Sequence, residues 1–158
     1  MATNNVINGI GPQPLFSYMS NAAQTGIAGN GSTYSVLFPD IVYDYTSSFD
    51  GVSTFTAPIA GIYSFTVTLG FSNLAIQPSG VLLTYFQSTS TTYTICNSTY
   101  FGDRTEVCCT LNVRMALHDT AYIQVGGYQN NTSKTINLDG VGLGFRATTF
   151  SGYLIKAV

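Results

Sequence analysis

Apolar and polar residues alternate most regularly between Ile62 and Leu69. Tyr63, Phe65, Val67 and Leu69 fall on one side of an extended segment, and Ile62, Ser64, Thr66 and Thr68 on the other. A period of two marks a half-buried strand, and the aromatic and β-branched residues here suit one. Pro58 and Gly61 stand just upstream. The first cannot donate to a ladder and the second relaxes the backbone, so residues 54–69 read as a corner feeding a long strand. Alternation returns with Leu111, Val113, Met115 and Leu117 against Asn112, Arg114 and Ala116, and again with Ala121, Ile123 and Val125 against Tyr122 and Gln124. Residues 117–120 between these runs predict the turn of an antiparallel hairpin, with His118 as a turn residue.

Further strands are predicted at residues 15–20, 34–38, 81–86 and 149–155. The third of these is apolar on both sides, as befits a strand between a core and a subunit interface. Residues 21–32, 126–134 and 140–144 read as loops rich in small residues, 88–94 as an exposed strand edge or loop, and 100–104 as a hairpin end. Residues 1–14, with Asn4, Asn5, Gly9, Gly11, Pro12 and Pro14, fit neither period and read as an N-terminal arm or stalk remnant. Residues 15–158 then form one domain. Eight or more short strands with turns every ~8 to 12 residues argue for an all-β sandwich.

Composition adds an assembly argument. Only 8% of the 158 residues are charged, while 45% are hydrophobic and 13% aromatic. Mean hydropathy is +0.22. Ser, Thr, Asn and Gln must keep the surface wet, and part of the apolar surface is expected to be covered by other copies of the chain. The net charge of −2, with Arg104, Arg114, Lys134, Arg146 and Lys156 as the only basic residues, offers no stripe for a phosphate backbone. Nucleic acid is therefore not an expected partner. No window approaches the roughly 18 apolar residues of a membrane span, so membrane insertion is not expected either, and residues 1–5 lack the start of a signal peptide.

Several residues in the proposed corner and at the two ends carry a family resemblance. Phe55, Ala57-Pro58, Gly61, Tyr63 and Phe65 stand in the order and spacing of the central signature of C1q-like globular heads, the C1q and tumour-necrosis-factor superfamily. Residues 14–18, with Phe16, resemble that family's first strand. Residues 149–155, with Phe150, Gly152 and Leu154, resemble its last. The resemblance implies an antiparallel jelly-roll β-sandwich of about ten strands that assembles as a homotrimer, often behind a collagen-like stalk, although no Gly-X-Y period exists here. It makes residues 41–52 an extended loop leading into the signature. It also places a Gly-Asp turn where this chain has His118-Asp119. Low charge, abundant Ser, Thr and Asn and the missing signal peptide make the chain look more like a microbial or viral member than a secreted animal one.

Candidate chemistry is sparse. His118 is the only histidine, and no Gly-X-Ser-X-Gly elbow supplies a nucleophile, so an enzyme is not expected. Asp40, Asp44, Asp50, Asp103, Glu106, Asp119 and Asp139 are dispersed singly, with no calcium-loop spacing. Some members of the resembled family hold calcium near the trimer axis, which leaves a site made from loop carboxylates by threefold symmetry as the one cofactor implied. Cys96, Cys108 and Cys109 lack metal-ligand spacing. They read as buried free thiols, with a bridge from Cys96 to one of the pair as the other state. Asn30, Asn97, Asn130 and Asn131 open N-glycosylation patterns, read here as exposed loops.

The aromatics divide into two sets. Phe16, Phe55, Tyr63, Phe65 and Phe150 fit the core. Tyr43, Tyr45, Tyr100, Tyr122 and Tyr128 fall in loops or on outer faces, where they serve either a trimer contact or a ligand. The expected function is a non-catalytic trimeric head for attachment to a surface protein or glycan, at the tip of a stalk, fibre or coat on a cell, spore or virion. The alternative is a purely structural trimerisation module.

Overall fold

The computed structural model describes residues 13–28, 31–74, 82–98, 104–126, 135–140 and 148–158. These contain twelve strands and no helix. In chain order they are β1 (Leu15–Ser20), β2 (Gln24–Ala28), β3 (Thr33–Ser35), β4 (Asp40–Asp44), β5 (Thr54–Thr56), β6 (Gly61–Ser72), β7 (Leu82–Ser88), β8 (Thr92–Ser98), β9 (Thr105–Met115), β10 (Thr120–Gly126), β11 (Thr135–Leu138) and β12 (Thr148–Ala157). They form two antiparallel sheets. The seven-stranded sheet runs β2-β11-β6-β12-β1-β4, with β9 on the free side of β6. The five-stranded sheet runs β3-β10-β7-β8, with β5 also on β10. This is the jelly-roll sandwich.

β6 organises the large sheet because its alternation is the most complete. Tyr63, Phe65, Val67 and Leu69 are fully buried, and the strand pairs with β12, β9 and β11. Aromatic rings bridge the sheets. Phe16 on β1 stacks on Phe55 of β5 at 4.9 Å, and Phe65 on β6 meets Phe86 of β7 at 5.0 Å. Each such pair contributes ~0.5–1.5 kcal/mol beyond the area it buries. Gly152 on β12 makes room for this layer, since a Cβ there would come within 2.7 Å of Phe65 and 2.8 Å of Phe16. The buried hydroxyl of Tyr63 donates to the Ile59 carbonyl at 2.6 Å, so it is not left without a partner.

The structure departs from the expectations at particular places. The predicted loop at 21–32 contains β2, and the extended loop expected at 41–52 begins with β4, an edge strand. β11, for which no strand was expected, pairs β2 to β6. These additions raise the strand number above ten. The strand expected at 34–38 ends at Ser35, although Val36 N still donates to Ile123 O and Phe38 N to Val52 O. Leu117, placed on the apolar face by its spacing, lies beyond the end of β9 in the turn and is exposed. None of the three thiols is fully buried: Cys96 and Cys109 are half-buried and Cys108 is exposed, because it and Cys109 point to opposite sides of β9; all three are free. Asn97 lies within β8 rather than in a loop. Asn30, Asn130, Asn131, Tyr100, Tyr128, residues 1–12 of the arm, the 100–103 part of the hairpin end and the glycine segment after Gly140 lie outside the described residues.

Two turns explain themselves locally. His118 has φ 68°, the left-handed conformation that glycine would adopt without cost, and Asp119 accepts the Ala116 N–H through Oδ2 at 2.7 Å. The connection from β4 to β5 is held by two carboxylates. Asp44 accepts from the N–H groups of Thr46, Ser48 and Phe49. Asp50 accepts from those of Val52, Ser53 and Thr54 at 2.8–3.0 Å. Burial pushes the Asp50 carboxyl up, but these donors outweigh it and hold the group below its ordinary value.

Candidate interaction surface

The strands whose inner faces carry the aromatic layer present small hydroxyls outward. Register aligns Tyr43, Ser17, Ser151, Thr66 and Thr110 across β4, β1, β12, β6 and β9. The adjacent row runs Leu15, Tyr153, Ser64 and Asn112. Between the rows lies a shallow depression of about 200 Å³ lined by Leu15, Tyr43, Ser64, Thr66, Ser151 and Tyr153, with Phe16 and Gly152 beneath. Ser64 sits so deep in it that only 6% of its surface is exposed, although it faces outward. The Thr66 and Thr110 hydroxyls bond at 3.1 Å.

Large apolar side chains are exposed in the hollow and on the strands beside it. Tyr153 is 51% exposed and Ile155 48%, while Tyr43 and Tyr45, whose rings lie 6.0 Å apart, are 39% and 69% exposed. Tyr45 is placed there by its N–H, which donates to Leu15 O. The lining residues carry no charge. Exposed apolar side chains around small uncharged hydroxyls are the composition of a surface that packs against protein.

The remaining candidates are placed as follows. Phe16, Phe55, Tyr63, Phe65 and Phe150 lie in the core, Leu154 is buried beside them, and Gly61 and Gly152 are buried on β6 and β12. Tyr43 and Tyr45 come together with Tyr153, which the sequence reading did not single out. Its position in the alternation, between buried Gly152 and Leu154, is the signal that could have found it. Tyr122 is half-buried on β10, on the other sheet. His118 and Asp119 occupy the β9–β10 turn, where the Asp119 carboxylate is engaged by backbone. Among the described residues, no group of three or more His, Cys, Asp or Glu side chains could hold a metal ion. Burial pushes the Cys96 thiol up, and burial followed by the neighbouring Cys108 does the same to Cys109.

No protein-family model and no curated protein matches the chain. Solved structures do. The globular domain of zebrafish complement 1qA protein is 18% identical with a TM-score of 0.62, over 92% of this chain and 99% of that one. Murine APRIL at pH 8.5 is 8% identical with a TM-score of 0.60, over 90% and 99%. Eiger TNF from S. frugiperda is 6% identical with a TM-score of 0.55, over 92% and 94%. At such identities the likeness is one of fold, and the fold is that of C1q and TNF-family head domains.

Proposed function

We propose, from a C1q/TNF-like sandwich as premise, that this chain is a non-catalytic trimeric head that recognises a partner at a surface. The outward face of the seven-stranded sheet packs against neighbouring copies, and the loops at its ends meet a protein or glycan. The observation that carries this reading is the uncharged hollow at Ser64, Thr66 and Ser151, lined by Tyr43 and Tyr153, with Ile155 exposed further along β12. A copy of the chain seated there would cover the apolar rim while Thr66 keeps its bond to Thr110 and the serine hydroxyls meet polar groups of the neighbour. The head would sit at the tip of a stalk, fibre or coat, and a microbial or viral surface remains the setting the composition favours. Among the described residues no helix is long and apolar enough to cross a membrane.

The purely structural reading has one observation in its favour. Edge strand β4 exposes Ile41, Val42 and Tyr43 in succession, a surface suited to assembly contacts rather than to a soluble ligand.

Light scattering at neutral pH, with and without a chelator, tests the assembly. The expected mass is three times the 16.9 kDa of one chain. Tyr153→Ser is expected to lower that mass while each chain keeps its strand content by circular dichroism. A wild-type monomer under both conditions would sink the trimeric head. A trimer that falls apart only with chelator would assign its cohesion to carboxylates shared around an axis.

A further inference from the structure

The outward face of the five-stranded sheet is built on another plan, and we propose that it is a binding platform for a neutral saccharide. This names a ligand class for the recognition head and rests on that reading. β7 and β10 place Tyr122 opposite Gln87 and Gln124 opposite Tyr85. Ala121, Ile123, Val125 and Phe86, the residues between them, are buried, so the four side chains, each half-buried, lie on the outer face of the sheet. A ligand there takes the place of the subunit interface expected on β7. Two tyrosines thus occupy one diagonal of a square and two glutamines the other. Diagonal neighbours in an antiparallel pair lie roughly 7–8 Å apart.

The glutamines are joined in a directed chain. Thr92 Oγ1 donates to Gln87 Oε1 at 2.5 Å, and Gln87 Nε2 donates to Gln124 Oε1 at 3.2 Å. The chain ends on Gln124 Nε2, which has no acceptor among the described residues; the Tyr85 and Tyr122 hydroxyls likewise have no partner there. Tyr85 is also held in an unusual attitude. A Cβ on Gly126 would lie 2.1 Å from Tyr85 Cε2, so the ring lies across the glycine, along the sheet rather than standing off it. A ring so placed offers a flat apolar surface beside free hydrogen-bonding groups.

Charge selects the ligand. β3, β5, β7, β8 and β10 together contain no Asp, Glu, Lys, Arg or His. An ion finds no counter-charge on this sheet. A second copy of the chain would want exposed aliphatic area, and Ile41, Val42 and Ile155 lie on the other sheet. A pyranose has what the face lacks: C–H groups on one side to lie on a tyrosine ring, and neutral hydroxyls at its edge that both donate and accept.

The test is an NMR titration of the full chain, labelled at tyrosine and at glutamine side-chain amides, with glucose, galactose, N-acetylglucosamine and fucose at millimolar concentration. Light scattering is run on the same samples. At least one sugar is expected to shift Tyr85, Tyr122 and the Gln124 amide together. Tyr122→Ala is expected to weaken that sugar about tenfold. Gly126→Ala keeps every polar group but lifts the Tyr85 ring, and should weaken it comparably. The proposal is overturned if none of the sugars moves these signals, if the shifts map to Tyr43 and Tyr153 instead, or if Tyr122→Ala dismantles the oligomer. The head reading fails separately: a wild-type monomer that still binds sugar through these residues would remove the trimer and keep the platform.

Discussion

The two outward faces of the sandwich avoid charge at their centres by opposite means. On the seven-stranded sheet the polar groups are small hydroxyls, one of them, Ser64, sunk below the surface and two, Thr66 and Thr110, bonded to each other, and large apolar groups stand exposed beside them. On the five-stranded sheet the polar groups are long amides at the surface with donors to spare, and an aromatic ring lies flat among them. The first arrangement rewards contact with a solid partner that covers the rim; the second rewards a small ligand that exchanges hydrogen bonds with it. A glycine is instrumental in both, with a difference in direction. Gly152 opens space inward for the core, and Gly126 opens space outward for a surface ring.

The largest perturbation removes the support that the faces share. Phe65→Ala is expected to cost ~3–5 kcal/mol in denaturant unfolding, and both faces should then be lost in a single transition. Gly152→Ala should cost ~1–3 kcal/mol, because its new methyl meets two packed rings that cannot leave. Thr84→Val should act in the other direction. Thr84 Oγ1 is fully buried on the inner side of β7 with no hydrogen-bond partner among the described residues, so an isosteric methyl is expected to add ~1 kcal/mol. Gly126→Ala should change stability by less than ~0.5 kcal/mol, since the half-buried Tyr85 ring lies on the outer face and can swing toward solvent. A Gly126→Ala cost equal to that of Gly152→Ala would erase the distinction drawn between the glycines.

The smallest effect concerns Asp50, which helps to hold the connection that carries the chain from one sheet to the other. Its folded carboxyl titrates below the ordinary value. The stability it contributes is therefore present above the unfolded value of about 3.9 and is lost as pH falls through the folded one. Melting temperatures of the wild type and Asp50→Asn, measured from neutral pH downward, should differ at neutral pH and converge in acid. Parallel curves would mean that the carboxylate's charge contributes nothing.

The strand most readable from sequence was the one whose two sides meet the most different surroundings. β6 was legible because a core lies on one side of it and a polar surface on the other. β4 was not, since its position at the sheet edge leaves Ile41, Val42 and Tyr43 all exposed and no period survives. β2 was hidden by small residues and by Gly26 at φ 75°, and β11 by its length of only four residues. Leu117 shows the converse error, a correct period extended one step past the end of its strand. The core aromatics were readable one by one, whereas both outward faces arise from register between strands far apart in sequence. Tyr122 could be picked out as a surface aromatic, but its pairing with Gln87 and the lie of Tyr85 over Gly126 could not.

β4 also has a bearing on how the protein must be handled. Among the described residues it is paired only with β1, so its other side offers unmatched backbone groups between apolar side chains, with no lysine or proline inside the strand to discourage pairing. The register shift opposite Ser17 and Tyr18 interrupts its straight run and, with Asp40 and Asp44 at the two ends of the strand, resists templating by a foreign strand. At high concentration, growth by end-to-end sheet extension should begin at this strand. A single lysine at Val42 would then act as a gatekeeper, prolonging the shelf life of the protein without touching the face of the five-stranded sheet.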